Sequence, residues 1–185
     1  MDQERLGTTT AATGRITRVR TFPADEAALR TPAARVEACT PDVVAFAREL
    51  IEWMRREDGL GLAATQVETS PSQIAPALFV MARGEENLVL INPIVHGQFG
   101  HTFDEEACLS FGRVTCTLVA PRTVHLGYTD LDGAAHTETF RGFAARCVAH
   151  EVDHLRGRLM IDRMLRRDQR AFLARLARET AATQR

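Results

Sequence analysis

One pentapeptide, His150-Glu151-Val152-Asp153-His154, constrains this chain more than any other feature. On a helix, positions i and i+4 share a face, so both imidazoles can point at one place. Phe143 and Cys147 precede them at steps of four and three, which makes the histidine pair a continuation of an apolar stripe. A stripe of that kind is buried, and buried imidazoles cost free energy unless both rings have partners. A metal ion supplies those partners, with Glu151 placed to hold a water beside it. The competing reading is a helix with two partly exposed histidines among ordinary surface acids. Asp153 lies off the stripe, as an acid that supports a ligand or the structure, or as a solvated or ion-paired surface residue.

Two histidines leave a metal site incomplete. No histidine follows His154, and the downstream acids Asp162, Asp168 and Glu179 read as turn or helix-surface residues. Upstream, Cys108 lies in Glu105-Glu106-Ala107-Cys108-Leu109-Ser110-Phe111-Gly112. A thiolate with two imidazoles suits a borderline divalent ion and leaves a fourth position open. A lone cysteine flanking a strand is, by contrast, usually a small buried apolar residue. Cys39, Cys116 and Cys147 read as core cysteines.

Around this feature the chain reads as α+β. Thr40-Pro41-Asp42 opens a helix with a cap, a proline at the first helical position and an acid. Val43, Phe46, Ala47, Leu50, Ile51 and Met54 form its stripe, and it stops before Gly59. Ala77 to Met81 and Leu88 to Asn92 read as strands around a turn at Arg83-Gly84-Glu85-Glu86. Val114 to Val119, Val124 to Tyr128 and His136 to Phe140 read as further strands, the last two joined by Asp130-Leu131-Asp132-Gly133. A second helix runs from Phe143 to Arg156, closed by Gly157. A third runs from Arg167 to Thr180 with Phe172, Leu173, Leu176 and Ala177 on one side. The expected architecture is antiparallel or mixed strands packed around the central histidine helix, with a C-terminal helix. Residues 15–185 read as a single domain. Met1 to Gly14, polar and rich in small residues, reads as a flexible tail without the apolar segment of a secretory signal.

Bulk properties exclude several classes. The net charge is −1, from 23 basic and 24 acidic residues, so no charge imbalance favours a nucleic-acid or membrane-surface partner. No apolar run reaches the roughly 18 residues of a membrane span. The four cysteines read as free thiols of a reducing cytosol rather than a disulfide framework.

Gly59-Leu60-Gly61-Leu62-Ala63-Ala64-Thr65-Gln66 follows the first helix. Glycines one residue apart let a backbone approach a ligand closely. A phosphate loop is excluded, because no Gly-Lys-Ser/Thr follows and no strand precedes it. On its own the segment reads as a helix stop and turn.

Taken in order, the Gly59–Gln66 segment, Glu106-Ala107-Cys108-Leu109-Ser110 and His150-to-His154 resemble the peptide deformylase family. Leu29-Arg30-Thr31-Pro32-Ala33, Ile91-Asn92-Pro93, Asp132-Gly133, His154-Leu155-x-Gly157 and Ile161-Asp162-Arg163 fit the same family, over residues 16 to 165. The resemblance is to the type with a C-terminal helix. It implies a metal-dependent hydrolase that removes the formyl group from the N-terminal formyl-methionine of nascent polypeptides and releases formate. It further implies Cys108, His150 and His154 as metal ligands and Glu151 as the acid–base. Gln66 and the backbone N–H of Leu109 become the oxyanion donors. Gly59, Leu60 and Gly61 border the bound peptide, and Phe143 and Cys147 help to wall the side-chain pocket. The implied cofactor is one divalent ion, Fe²⁺ natively, with Zn²⁺, Ni²⁺ or Co²⁺ as alternatives. The implied partners are formyl-methionyl peptides, including ribosome-associated nascent chains, with no direct nucleic-acid or membrane contact. The implied location is the cytoplasm. The alternative is a divergent member with a specialised formylated substrate, or one retained as a binding module. The chain departs from the family at Ala107, where glycine is expected, and at Phe111-Gly112 in place of an aliphatic residue and proline. Both departures adjoin the ligand and the oxyanion donor, so they bear on catalytic efficiency rather than on the fold.

Overall fold

The structure, a computed structural model, describes residues 14–112 and 114–183. The expected N-terminal tail lies outside the described residues except for Gly14. Two antiparallel sheets form. Strand β1 (Arg15–Val19) pairs with β3 (Val67–Ser70). The larger sheet holds β2 (Gly61–Ala63), β4 (Leu78–Arg83), β5 (Glu86–Glu106), β6 (Cys116–Thr129) and β7 (Ala135–Arg141), in the order β2-β4-β5-β6-β7. A short helix α1 (Glu26–Leu29) and the long helices α2 (Pro41–Arg56), α3 (Gly142–Leu155) and α4 (Arg166–Thr183) complete the fold.

Strand β4 shows how the layers are set. Its residues alternate between faces, as strand geometry requires. Leu78 and Val80 pack toward Val43, Phe46, Leu50 and Met54 of α2. Phe79 and Met81 pack toward Val148, Val152 and Leu155 of α3. The sheet is thus sandwiched between the two helices, and β4 reads as a continuous apolar run because both of its faces are buried. Helix α4 closes a third cluster through Phe172 and Leu176, over Phe111, Leu118 and Leu159.

Helix α2 begins where its cap predicts, with the Thr40 hydroxyl accepting from Val43 N at 3.4 Å. Helix α3 is followed by Gly157 at φ +70°. Of the expected face of α4, Phe172 and Leu176 are buried while Leu173 and Ala177 are exposed, so that helix docks by a narrower edge.

Three expectations are corrected. Val114–Val119 and Val124–Tyr128 are not separate strands, because β6 runs unbroken through Pro121. At that point β7 has already ended, at the Thr123↔Arg141 pair, so β6 has only β5 beside it. A residue without an N–H is tolerated on such an open edge. Strand β5 does not stop at Asn92 but continues to Glu106. Residues 94–106 lack a clean alternation, with Ile94, Phe99 and Phe103 all exposed, and take strand form from pairing with β6. The Gly59–Gln66 segment is more than a turn: Gly61–Ala63 adds an edge strand to β4, followed by a 3-10 turn at Ala64–Gln66.

Among the described residues no helix is long and apolar enough to cross a membrane. All four cysteines are free; Cys108, Cys116 and Cys147 are buried and Cys39 is half-buried.

Candidate metal centre

Helix α3 buries its apolar face against the sheet, and that packing fixes which way its histidines point. His150, Glu151 and His154 are 8%, 4% and 1% exposed. Cys108, 4% exposed, follows the end of β5 in extended backbone. The structure brings the three expected ligands together. Cys108 Sγ lies 3.2 Å from His154 Nε2, which lies 3.2 Å from His150 Nε2. All three donor atoms fall within 4.8 Å of one another.

The donor set fits a metal ion. Bonds of about 2.0–2.1 Å to nitrogen and about 2.3 Å to sulfur give tetrahedral edges of about 3.3 and 3.5 Å. The separations found here are close to those edges. Two imidazole nitrogens and a sulfur converge on one point from three buried side chains. His154 Nδ1 is buried and unpartnered, so that ring has little other polar satisfaction. Burial holds His154 well below the usual histidine range, helped by the neighbouring His150. Burial acts the same way on His150, but the Cys108 thiol and the Glu106 carboxylate outweigh it and raise its pKa.

Glu106 was read from the sequence only as a letter of a motif, and it does more than that. Its Oε2 lies 3.0 Å from His150 Nδ1 and accepts from Arg163 Nη2 at 2.8 Å. A carboxylate on Nδ1 fixes the ring so that Nε2 is free to bind an ion. Burial pushes the Glu106 carboxyl up, but the bonds to His150 and Arg163 prevail and hold it below its ordinary value. Arg163 also approaches Asp153, at 3.3 Å, which settles Asp153 as an ion-paired residue. A signal for Glu106 was available: it precedes Cys108 by two residues, and in extended chain i and i+2 share a face. Arg163 stands in the sequence only as the end of Ile161-Asp162-Arg163, with nothing there that ties it to this site.

Glu151 stands beside the donor cluster in a cleft of about 290 Å³. Burial pushes its carboxyl up to about 7, against the pull of His150. A carboxyl in that range can take and return a proton near neutral pH. Gly61 makes room for it, because a Cβ there would lie 2.5 Å from Glu151 Oε1.

Gln66, 1% exposed, is locked by its own turn. Its Oε1 accepts from Ala63 N at 2.8 Å, which turns Nε2 toward Ser110 Oγ (3.3 Å) and Cys108 Sγ (3.5 Å). Leu109 borders the same cleft, as do Gly59, Leu60 and Gly61. Cys147 is a buried wall, whereas Phe143 and Leu60, 55% and 54% exposed, stand at the rim. Arg146 also lines the cleft, held by Asp104 at 3.0 Å, and was not foreseen. Ala107 faces the cleft and is not among the residues with left-handed backbone, so its methyl narrows the opening without backbone strain. Gly112, by contrast, adopts φ +66°, which the ring of a proline forbids.

A family model described as polypeptide deformylase matches residues 16–170. A peptide deformylase of Prochlorococcus marinus (strain MIT 9515) is 38% identical over 138 residues, covering 74% of this chain and 68% of that protein. One from Chlorobium luteolum is 35% identical over 144 residues, covering 77% and 76%. Among solved structures, a peptide deformylase from Legionella pneumophila superposes with TM-score 0.81 at 25% identity, covering 92% of this chain and 98% of that one. One from Synechococcus elongatus in complex with actinonin superposes with TM-score 0.79 at 30% identity, covering 94% and 92%.

Proposed function

Because the chain belongs to the polypeptide deformylase family, we propose that its buried Cys108, His150 and His154 hold a divalent ion and that Glu151 is the acid–base of formyl removal. The protein is a hydrolase that removes the formyl group from nascent polypeptides. The observation that carries the site assignment is the convergence of one thiol and two imidazoles beside a buried carboxyl in a cleft of about 290 Å³.

The ion, when bound, supplies a Lewis acid that makes a water acidic near neutral pH. Fe²⁺ is proposed as the native ion, and a thiolate with two imidazoles also accepts Zn²⁺, Ni²⁺ or Co²⁺. Glu151 takes a proton from the attacking water. The formyl carbon carries only a hydrogen, so a narrow cleft admits it. As the carbonyl oxygen gains charge, the Gln66 amide and the Leu109 N–H donate to it, each worth roughly 10²–10³ in rate. Glu151 then delivers its proton to the departing nitrogen as the C–N bond breaks, leaving formate and a free amine. Gly59, Leu60 and Gly61 border the peptide, and Cys147 and Phe143 wall the pocket for the first side chain. Residues 15–185 act as one catalytic domain, working on nascent chains in the cytoplasm, a compartment that suits four free thiols.

An anaerobic assay of formate release from formyl-methionyl peptides, with metal counted on the same sample, tests this. Cys108→Ala should lose the ion and the activity together. Glu151→Ala should keep the ion and lose at least about 10²-fold in turnover. A Cys108→Ala protein with stoichiometric, tightly held metal would sink the ligand set.

A further inference from the structure

Arg20, the residue after β1, touches the Gln66 turn at two points. Its backbone N–H donates to Gln66 O at 2.7 Å. Its guanidinium Nη1 donates to Thr65 O at 2.8 Å. The residue is only 9% exposed. The nearby carboxylates, Asp25 and Glu68, are both paired with Arg18, and among the described residues Arg20 forms no ion pair. A buried guanidinium without a carboxylate is costly. Such a group is retained where its hydrogen bonds are needed, and here the bond goes to the peptide directly before Gln66. The same turn is tied from its other side, since the Thr65 hydroxyl donates to His154 O at 3.0 Å. Residues 65 and 66 are therefore held between the end of β1 and the end of the ligand helix.

We propose that Arg20 is a positioning residue for the oxyanion donor, its guanidinium fixing the Thr65 carbonyl so that the Gln66 amide faces the cleft. This rests on the reading of Gln66 as a donor to the developing oxyanion. The Gln66 side chain depends on the shape of its turn, because its Oε1 is bonded to Ala63 N three residues back. If the guanidinium is removed, Thr65 O is left buried without that donor. The 65–66 peptide then rotates to find another partner. The rotation swings Nε2 away from Cys108 and Ser110, on the side where the oxyanion forms. The hydrogen bonds of Arg20 go to Thr65 and Gln66 rather than to the residues proposed to border the peptide, so the loss falls on the transition state. Arg20 touches no reacting atom and acts only through Gln66.

The test is a mutant cycle on metal-loaded protein: Arg20→Met, Arg20→Lys, Gln66→Ala and the Arg20→Met, Gln66→Ala double variant. The readouts are kcat, KM, Tm and metal per chain. Arg20→Met keeps the apolar stem and removes the donors. It should lower kcat about 10- to 100-fold, as a misplaced transition-state contact does, with KM within about twofold and metal content unchanged. Arg20→Lys, which restores one donor, should recover part of that loss. In the Gln66→Ala background, Arg20→Met should cost less than about a further twofold, because the group it positions is gone. Full additivity in the double variant would overturn the proposal, as would an Arg20→Met protein with parental kcat and only a lower Tm. If Gln66→Ala itself turns over at the parental rate, the donor reading falls and this inference with it. If Gln66→Ala is slow and Arg20→Met is not, only the inference falls. Should Arg20→Met fail to fold, Arg20→Lys decides on the same terms, slower than the parent but without added effect on Gln66→Ala.

Discussion

Replacing Gly61 with alanine should separate turnover from stability. The added methyl carbon would lie 2.5 Å from Glu151 Oε1 and 2.8 Å from Cys147 Sγ. Non-bonded carbon contacts settle at roughly 3.5–4.0 Å, so about 1 Å of room is missing. Both obstructing atoms end flexible side chains, and the backbone can stay where it is. The fold therefore loses little, near the lower end of the ~1–3 kcal/mol typical of overpacking. The carboxylate has less freedom to yield without consequence. Glu151 is 4% exposed and its Oε2 is already buried without a hydrogen-bond partner, so it can only retreat along the cleft wall. A displacement of about 1 Å of a reacting group costs on the order of 10² in rate, or about 2.7 kcal/mol of barrier. The assay is kcat for formate release from a formyl-methionyl tripeptide, with metal content and Tm on the same preparation. The expected result is full metal, a Tm within a few degrees of the parent and a turnover about a hundredfold lower. Parental kcat in a folded, metal-loaded Gly61→Ala protein would show that the proton is not carried by a carboxylate held where Glu151 is.

Gly157→Ala should act oppositely, on the fold. It combines φ +70° with a Cβ driven into the backbone carbonyl of Arg30, which cannot swing aside, and should cost at least about 2 kcal/mol in urea unfolding; an unchanged midpoint would contradict the packing described. Glu106→Gln removes the charge that His150 and Arg163 share, and should weaken metal binding about 10- to 100-fold in a chelator competition. Asp25 is held down to about 2, from 3.8, chiefly by its bond to Arg18. A carboxyl depressed in the folded state adds stability above its unfolded pKa and loses it as pH falls through its folded one. Stability should therefore drop between pH 3.8 and about 2, and Asp25→Asn should show a shallower drop there; identical slopes would refute the linkage.

How much of this was legible depended on where each signal resides. Helix α2 was readable because Thr40, Pro41 and Asp42 carry its start locally and its stripe is periodic. The histidine pair was readable because both rings sit on one helix, where spacing alone dictates the face. Cys108 was not readable from spacing, since its approach to His154 is made by tertiary structure across 46 residues; only the order of the three segments and their resemblance to a family singled it out. Arg163 reaches Glu106 across 57 residues, and no pattern in either neighbourhood encodes that meeting. The outer half of β5 was illegible for a related reason. Its exposed Phe99 and Phe103 do not alternate with polar residues in a way that marks a face, and the strand exists because β6 lies beside it. Arg20 belongs to no motif in the sequence, and only its burial distinguishes it.

Under the proposed ligand set, the split of the donors between the end of β5 and α3 ties ion binding to chain closure. In an unfolded chain the two histidines remain neighbours, but the thiol is the far end of a 46-residue loop whose closing costs entropy. A chain that has formed only α3 offers two donors; the third arrives when the β5–β6 hairpin docks. Full affinity therefore belongs to the closed state alone. Each tenfold rise in free ion above its dissociation constant should add about 1.4 kcal/mol to unfolding. Metal supply then sets how long each molecule survives heat or a protease, as well as how many are active, and a starved cell would lose this protein by degradation as well as by idleness.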